Sequence, residues 1–279
     1  MIVKIRNVNY HVEITGKGPP LLLLHGFTGS AENWKEFKEI WKEYQLISLD
    51  IIGHGQTDSP HTVFHYDMMK MVEDLNELLK KLGIESVHIL GYSMGGRLAL
   101  SFAMTYKNRV KSLILESSSP GLKTEQERSE RRKSDEKLAA YIQEAGVMSF
   151  VDKWENIPLF KSQKELPSHY QQSIRSQRLK NDPVGLANSL LGMGTGSQPS
   201  WWNMLSHLFI PVLLVCGQKD EKFCRIAFEM ADRLPKRVIK KVNGAGHAIH
   251  VERPQIFGTI VDEFLSAETH TKGGSINGY

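Results

Sequence analysis

Val87–Leu100 reads VHILGYSMGGRLAL. The apolar Val87, Ile89 and Leu90 have the character of a strand, and Gly91-Tyr92-Ser93-Met94-Gly95 breaks it. Gly96 and Arg97-Leu98-Ala99-Leu100 then suit a helix. A strand, a sharp turn and a helix therefore carry one serine at the apex. Gly91 and Gly95 flank Ser93 because such a turn brings backbone against backbone, where a Cβ would clash. The serine is lifted out of the sheet, beside the free N–H groups of the helix start. A bare G-x-S-x-G arises often by chance. In a strand–turn–helix setting it reads as the seat of a nucleophile.

Working outward, Ile2–Ile5 and Tyr10–Ile14 read as strands joined by a turn at Arg6-Asn7-Val8-Asn9. Leu21–Leu24 is continuously apolar, as a fully buried parallel strand is, and runs into His25-Gly26-Phe27-Thr28-Gly29-Ser30. Trp34, Phe37 and Trp41 recur at helical spacing, Leu46–Leu49 is a further strand, and Tyr66–Leu82 is an amphipathic helix stopped by Gly83. Val110–Leu115, Pro211–Cys216 and Val238–Val242 add strands, and Gln255–Leu265 closes the chain as a helix. This alternation predicts an α/β fold of the α/β-hydrolase type, a mostly parallel central sheet with helices on both faces. It lapses between residues 121 and 202, where charged helical segments replace strands. The expected division is a core of residues 1–120 and 203–265, a helical lid insertion of 121–202, and a disordered polar tail of 266–279.

The bulk properties exclude several classes. A net charge of +4 over 279 residues, with no long Lys/Arg block, does not suit nucleic acid. The apolar runs are too short to span a bilayer, and the first residues have no secretory signal. Cys216 and Cys224 form no framework, which suits a reduced, cytoplasmic protein. No metal or organic cofactor is expected, since neither a ligand cluster nor a phosphate-cradling first turn is present. Oligomeric state is not legible; a monomer is the expectation.

A serine hydroxyl needs a histidine to take its proton and a carboxylate to orient that histidine. Asp220 follows the strand Pro211–Cys216, and His247 follows Val238–Val242 in Gly244-Ala245-Gly246-His247. The order Ser93, Asp220, His247 is that of α/β-hydrolases. Blander readings compete: Asp220 as a helix N-cap, Asp50 or Glu116 as the carboxylate, His250 as the base. Asp50 precedes the serine, in the wrong order, and Gly246 before His247 suits a tight loop. His25 and His54 read as structural. The backbone N–H groups of Met94 and Phe27 are the candidate oxyanion donors. Arg97, four residues past Ser93, faces roughly the same way, with an internal salt bridge as the alternative reading. The insertion adds Arg128, Arg131, Arg132, Arg175 and Arg178, many offset by local acids. Arginines lining a site suit a polycarboxylate, whereas an esterase favours an apolar pocket.

To about Leu265 the chain resembles the 2-succinyl-6-hydroxy-2,4-cyclohexadiene-1-carboxylate synthases, the MenH family of menaquinone biosynthesis. LHGFTGS (Leu24–Ser30) and GQKDEKF (Gly217–Phe223) are near-generic for α/β-hydrolases. GYSMGGR (Gly91–Arg97), SSPGL (Ser118–Leu122) and above all GLANSLLGMGTGSQPSWW (Gly185–Trp202) carry the resemblance. It implies a lyase: Ser93 as base, poised by His247 and Asp220, removes the proton α to a succinyl ketone, and pyruvate leaves without an acyl-enzyme. It also implies substrate contacts at Tyr92, Arg97, Arg131, Trp154 and Arg178, for a small-molecule tricarboxylate. The residues alone do not choose among Arg128, Arg131 and Arg132. The alternative is a carboxylesterase or C–C bond hydrolase using the same three residues.

Overall fold

The computed structural model describes residues 1–270. Eight strands form one sheet: β1 (Ile2–Ile5), β2 (Val8–Thr15), β3 (Pro20–Leu24), β4 (Gln45–Leu49), β5 (Val87–Tyr92), β6 (Val110–Glu116), β7 (Val212–Gly217) and β8 (Arg237–Val242). Their order is β1-β2-β4-β3-β5-β6-β7-β8, with β1 and β2 antiparallel to their neighbours and the rest parallel. The expected four-residue hairpin turn is shorter. Arg6 (φ 44°) and Asn7 (φ 68°) both take left-handed conformations, and β2 starts at Val8. Such a two-residue turn matches the twist of the strands it joins.

Leu21, Leu22, Leu23 and Leu24 alternate between the two faces and are all fully buried, each side chain contributing roughly 2 kcal/mol. One face is covered by α1 (Met68–Lys81) and α2 (Met94–Thr105), the other by Trp34, Phe37, Trp41 and α8 (Pro254–His270). Asp67 caps α1 through the N–H groups of Met69 and Lys70, and Gly83 ends the chain turn at φ 68°. Edge strand β8 is largely exposed and carries Lys240 and Lys241, a charged edge that discourages pairing with another sheet. Helix α8 runs past Leu265, so residues 266–270, expected in the disordered tail, are helical. Apolar spacing ends at Leu265, so the sequence predicts the helix only that far. Residues 271–279 lie outside the described part.

Between β6 and β7 the described chain has no strand. It holds α3 (Glu125–Trp154), α4 (Ser168–Leu179), α5 (Pro183–Met193) and shorter 3₁₀ turns. Gly146 (φ 76°) breaks α3 into two pieces. Ala139, Ile142, Phe150, Val151, Leu186, Ala187 and Leu190 give this insertion a small core of its own, against which Phe27 packs. Two short helices complete the fold: α6 (Glu221–Ala231) and α7 (Ile249–Glu252).

Candidate active site

Ser93 sits between β5 and α2 at φ 50°, ψ −105°, a strained conformation for a residue with a side chain. Two backbone bonds hold it: its N–H donates to the Glu116 carbonyl (2.9 Å), and its carbonyl accepts from Arg97 N (3.0 Å). The glycines act as the sequence suggests. A Cβ on Gly91 would overlap the Gly95 carbonyl, and one on Gly95 would overlap the carbonyls of Leu24 and His25.

The three elements meet at the carboxyl ends of the strands. His247 Nε2 lies 3.0 Å from Ser93 Oγ, and His247 Nδ1 lies 2.6 Å from Asp220 Oδ2. His247 is 2% exposed and Asp220 8%. The Asp220 alternative is also real, because its Oδ1 accepts from Phe223 N and caps α6. One carboxylate does both, and the cap fixes the oxygen that faces the histidine. Glu252 clamps the histidine loop, accepting from Gly246 N (2.6 Å) and from Ser162 Oγ of the insertion (3.0 Å). Burial pushes its carboxyl up.

The rivals are occupied elsewhere. Asp50 accepts from Ala31 N, Gln56 N and the His11 ring. Glu116 and His250 pair with each other at 2.9 Å, fully buried behind Tyr92. His25 donates to Gly26 O and accepts from Ile51 N, and His54 contacts Ile52 O; both fix the loops around Phe27. Burial lowers both histidines, His54 to about 3. Among the described residues the Phe27 and Met94 N–H groups donate to no protein acceptor, and both residues border the same cavity.

That cavity, about 330 Å³, is lined by Ser93, His247, Phe27, Tyr92, Met94, Arg97, Arg131 and Trp154, with Phe160, Ser189, Gly194, Thr195, Lys222 and Phe223. Arg97 is half-buried and makes no salt bridge among the described residues. Its Nη1 donates to Met193 O (2.5 Å) and Gln198 Oε1 (2.6 Å), both from the segment Gly185–Trp202. The three neighbouring arginines of α3 separate cleanly. Arg131 faces the cavity, whereas Arg128 and Arg132 bind the Gly196 carbonyl and Glu125. Trp154 Nε1 is a buried donor with no partner among the described residues. Tyr92 is buried, with its ring against His247.

Arg178 departs from expectation: it does not line this cavity. It is 6% exposed, donates to Gln163 Oε1 (3.0 Å) and stacks on Phe160 at 4.6 Å. Phe160 fills the wall in its place. A cation with few polar partners gains from an aromatic face, and burial lowers its pKa. The sequence reading also missed Lys222 and Phe223. They lie two and three residues past Asp220, on the first turn of α6, where the Phe223 ring stands 4.6 Å from that of His247 and Lys222 borders the cavity.

Sheet order, serine turn and the Ser–His–Asp line together define the α/β-hydrolase class, and the alpha/beta hydrolase fold family matches residues 19–254. A protein of Bacillus subtilis (strain 168) described as a putative 2-succinyl-6-hydroxy-2,4-cyclohexadiene-1-carboxylate synthase is 51% identical over 247 residues, 88% of this chain and 90% of its own. The structure of MenH from S. aureus superposes with a TM-score of 0.88 at 37% identity, covering 93% of this chain and 98% of that one. A thermophilic esterase from Thermogutta terrifontis gives 0.83 at 28%, covering 94% of each. The chain belongs to the 2-succinyl-6-hydroxy-2,4-cyclohexadiene-1-carboxylate synthase family of α/β-hydrolases. No described helix is long and apolar enough to cross a membrane.

Proposed function

We propose that this chain is a lyase of menaquinone biosynthesis that eliminates pyruvate from 2-succinyl-5-enolpyruvyl-6-hydroxy-3-cyclohexene-1-carboxylate. Its membership of the synthase family supports this. The observation that carries it is the cavity itself, where Ser93 and His247 share one enclosed space with Arg97 and Arg131. A hydrolase of neutral esters has no use for two guanidinium groups lining its cavity, whereas an enzyme whose substrate has three carboxylates does.

In this reading Ser93 Oγ, its own proton drawn to His247 Nε2, removes the proton α to the succinyl ketone. The electron pair of the broken C–H bond moves into the carbonyl as an enolate, held by the Phe27 and Met94 N–H groups. As the enolate collapses, the ring double bond shifts and the C–O bond to the enolpyruvyl group breaks. Pyruvate leaves as its enolate and takes up the abstracted proton. Asp220 holds the His247 tautomer and offsets its positive charge. Arg97, Arg131, Tyr92 and Trp154 bind substrate, and residues 121–202 serve as the lid. Arg178 acts through Phe160. The free, buried thiols of Cys216 and Cys224 support a reducing, cytoplasmic setting.

The test is pyruvate release from the enolpyruvyl substrate in a coupled assay, alongside hydrolysis of a short p-nitrophenyl ester. Pyruvate release that collapses in both Ser93→Ala and Arg97→Ala supports the lyase. Brisk ester hydrolysis without pyruvate supports a carboxylesterase, a reading favoured by the intact Ser–His hydrogen bond and by the esterase likeness.

A further inference from the structure

Arg97 and Arg131 reach the cavity from opposite walls, one from the core helix α2 and the other from the insertion helix α3. Two guanidinium groups facing one cavity repel, and the half-buried Arg97 feels this most. Arg97 registers this: burial first, then the Arg131 charge, lowers it to about 9. Asp135 stands against the pair. It lies one turn past Arg131 on α3, and its Oδ1 accepts the Arg131 Nε proton at 2.8 Å. Its negative charge acts on Arg97 as well.

An ordinary i,i+4 ion pair on a helix leaves its carboxylate in water. Asp135 is instead 4% exposed, and its Oδ2 has no hydrogen-bond partner among the described residues. That oxygen packs against Gly194, a lining residue, where a Cβ would stand 2.6 Å away. Burying a carboxylate oxygen without a donor is costly, so helix stability alone does not account for the placement. Arg131 makes no other hydrogen bond among the described residues, so its Nη1–Nη2 edge is free for a planar acceptor. Arg97 is held differently, by two neutral oxygens.

We infer that Asp135 is a positioning residue for anion recognition: it grips Arg131 through Nε, presents the Nη1–Nη2 edge to one substrate carboxylate, and lets two arginines share the cavity before substrate arrives. The inference rests on the tricarboxylate reading above. In its test, KM and kcat for pyruvate release and thermal midpoints are measured for the wild type, Asp135→Ala, Asp135→Asn, Arg131→Ala and Arg131→Ala/Asp135→Ala. Asp135→Ala is expected to raise KM about tenfold while kcat falls less than about threefold. Asp135→Asn keeps a carbonyl acceptor for Nε but not the charge that offsets the two arginines, and recovers only part of that loss. The double variant stays within about twofold of Arg131→Ala, because the aspartate acts through the arginine. Asp135→Ser, which withdraws the carboxylate, replaces the alanine variant if that one fails to fold. Multiplicative losses in the double variant, or a lower thermal midpoint with KM unchanged, overturn the inference and leave the lyase standing. A wild type that releases no pyruvate overturns both.

Discussion

The cavity has two walls built on different principles. The core wall is made by backbone: Ser93 is locked by main-chain bonds to β6 and α2, glycines permit contacts that no side chain would, and Asp220 and His247 stand on strand-end turns. The insertion wall is made by side chains. Arg131 is held by one carboxylate, Phe160 is backed by Arg178, and Trp154 keeps a buried N–H without a partner among the described residues. The contrast follows from what each wall does in the proposed reaction. Proton transfer tolerates little misplacement, so its groups are fixed before substrate arrives. Recognition of several carboxylates calls for long cations whose free edges the ligand completes.

If backbone packing fixes the core wall, one methyl group should break it. Gly95→Ala would push a Cβ into the Leu24 and His25 carbonyls, in the strand end beside Phe27. We expect at least a thousandfold loss of pyruvate release, with a lower thermal midpoint, from overpacking that disturbs both oxyanion donors. Activity within tenfold of wild type would mean that the turn is softer than its contacts imply. Arg97→Ala comes next. Removing an enclosed guanidinium that meets the substrate should lower kcat/KM about a hundredfold, an effect that persists at high salt.

The seam between the walls gives a prediction in pH. His54 lies 1% exposed beneath Phe27, which in turn touches Phe150 and Trp154 of the insertion. With its folded pKa at about 3, the unfolded chain binds a proton that the folded chain refuses between about pH 6.5 and 3. Stability therefore falls as pH falls through that window, by about 2 kcal/mol at pH 5 from this residue, roughly thirtyfold in the folding equilibrium. Asp135 and Glu252, raised by burial, act with the opposite sign. Comparison with His54→Asn isolates the histidine: the gap in urea-unfolding free energy between variant and wild type should shift by about 2 kcal/mol between pH 7 and pH 5. An unchanged gap would mean that His54 is charged in the fold.

Most of the core wall was legible in the sequence because its signals are local. Period and apolar runs give strands, glycines give turns, and chain order ranks Asp220 above Asp50. The competing readings of Asp220 do not exclude each other, since one carboxylate oxygen lies against His247 and the other caps α6. The insertion wall was far less legible. Arg128, Arg131 and Arg132 are near neighbours on one helix, and only packing against Gly194–Gln198 shows which faces inward. Arg178 carried a strong resemblance and still points behind the wall, because cation–aromatic stacking leaves no mark in sequence spacing. For Arg97 the site-facing reading and the internal salt bridge were not separable by spacing: its protein partners are a carbonyl and an amide about a hundred residues away, and it lines the cavity.

Lys222 gives the smallest effect and the sharpest reading of the two walls. It is the cavity's third lining cation, yet it is exposed, with its ammonium 5.6 Å from the Phe223 ring and in no ion pair among the described residues. An ammonium in water attracts a carboxylate weakly, and salt screens it over about 8 Å at physiological strength. Lys222→Gln should therefore raise KM about threefold at low salt and barely at all in 0.5 M salt, with kcat unchanged. Arg97→Ala, measured in the same buffers, should lose the same factor in both. If Lys222→Gln instead matches the arginine variant and ignores salt, the lysine is drawn into the closed cavity when substrate binds, and the open mouth at α6 belongs to the insertion wall.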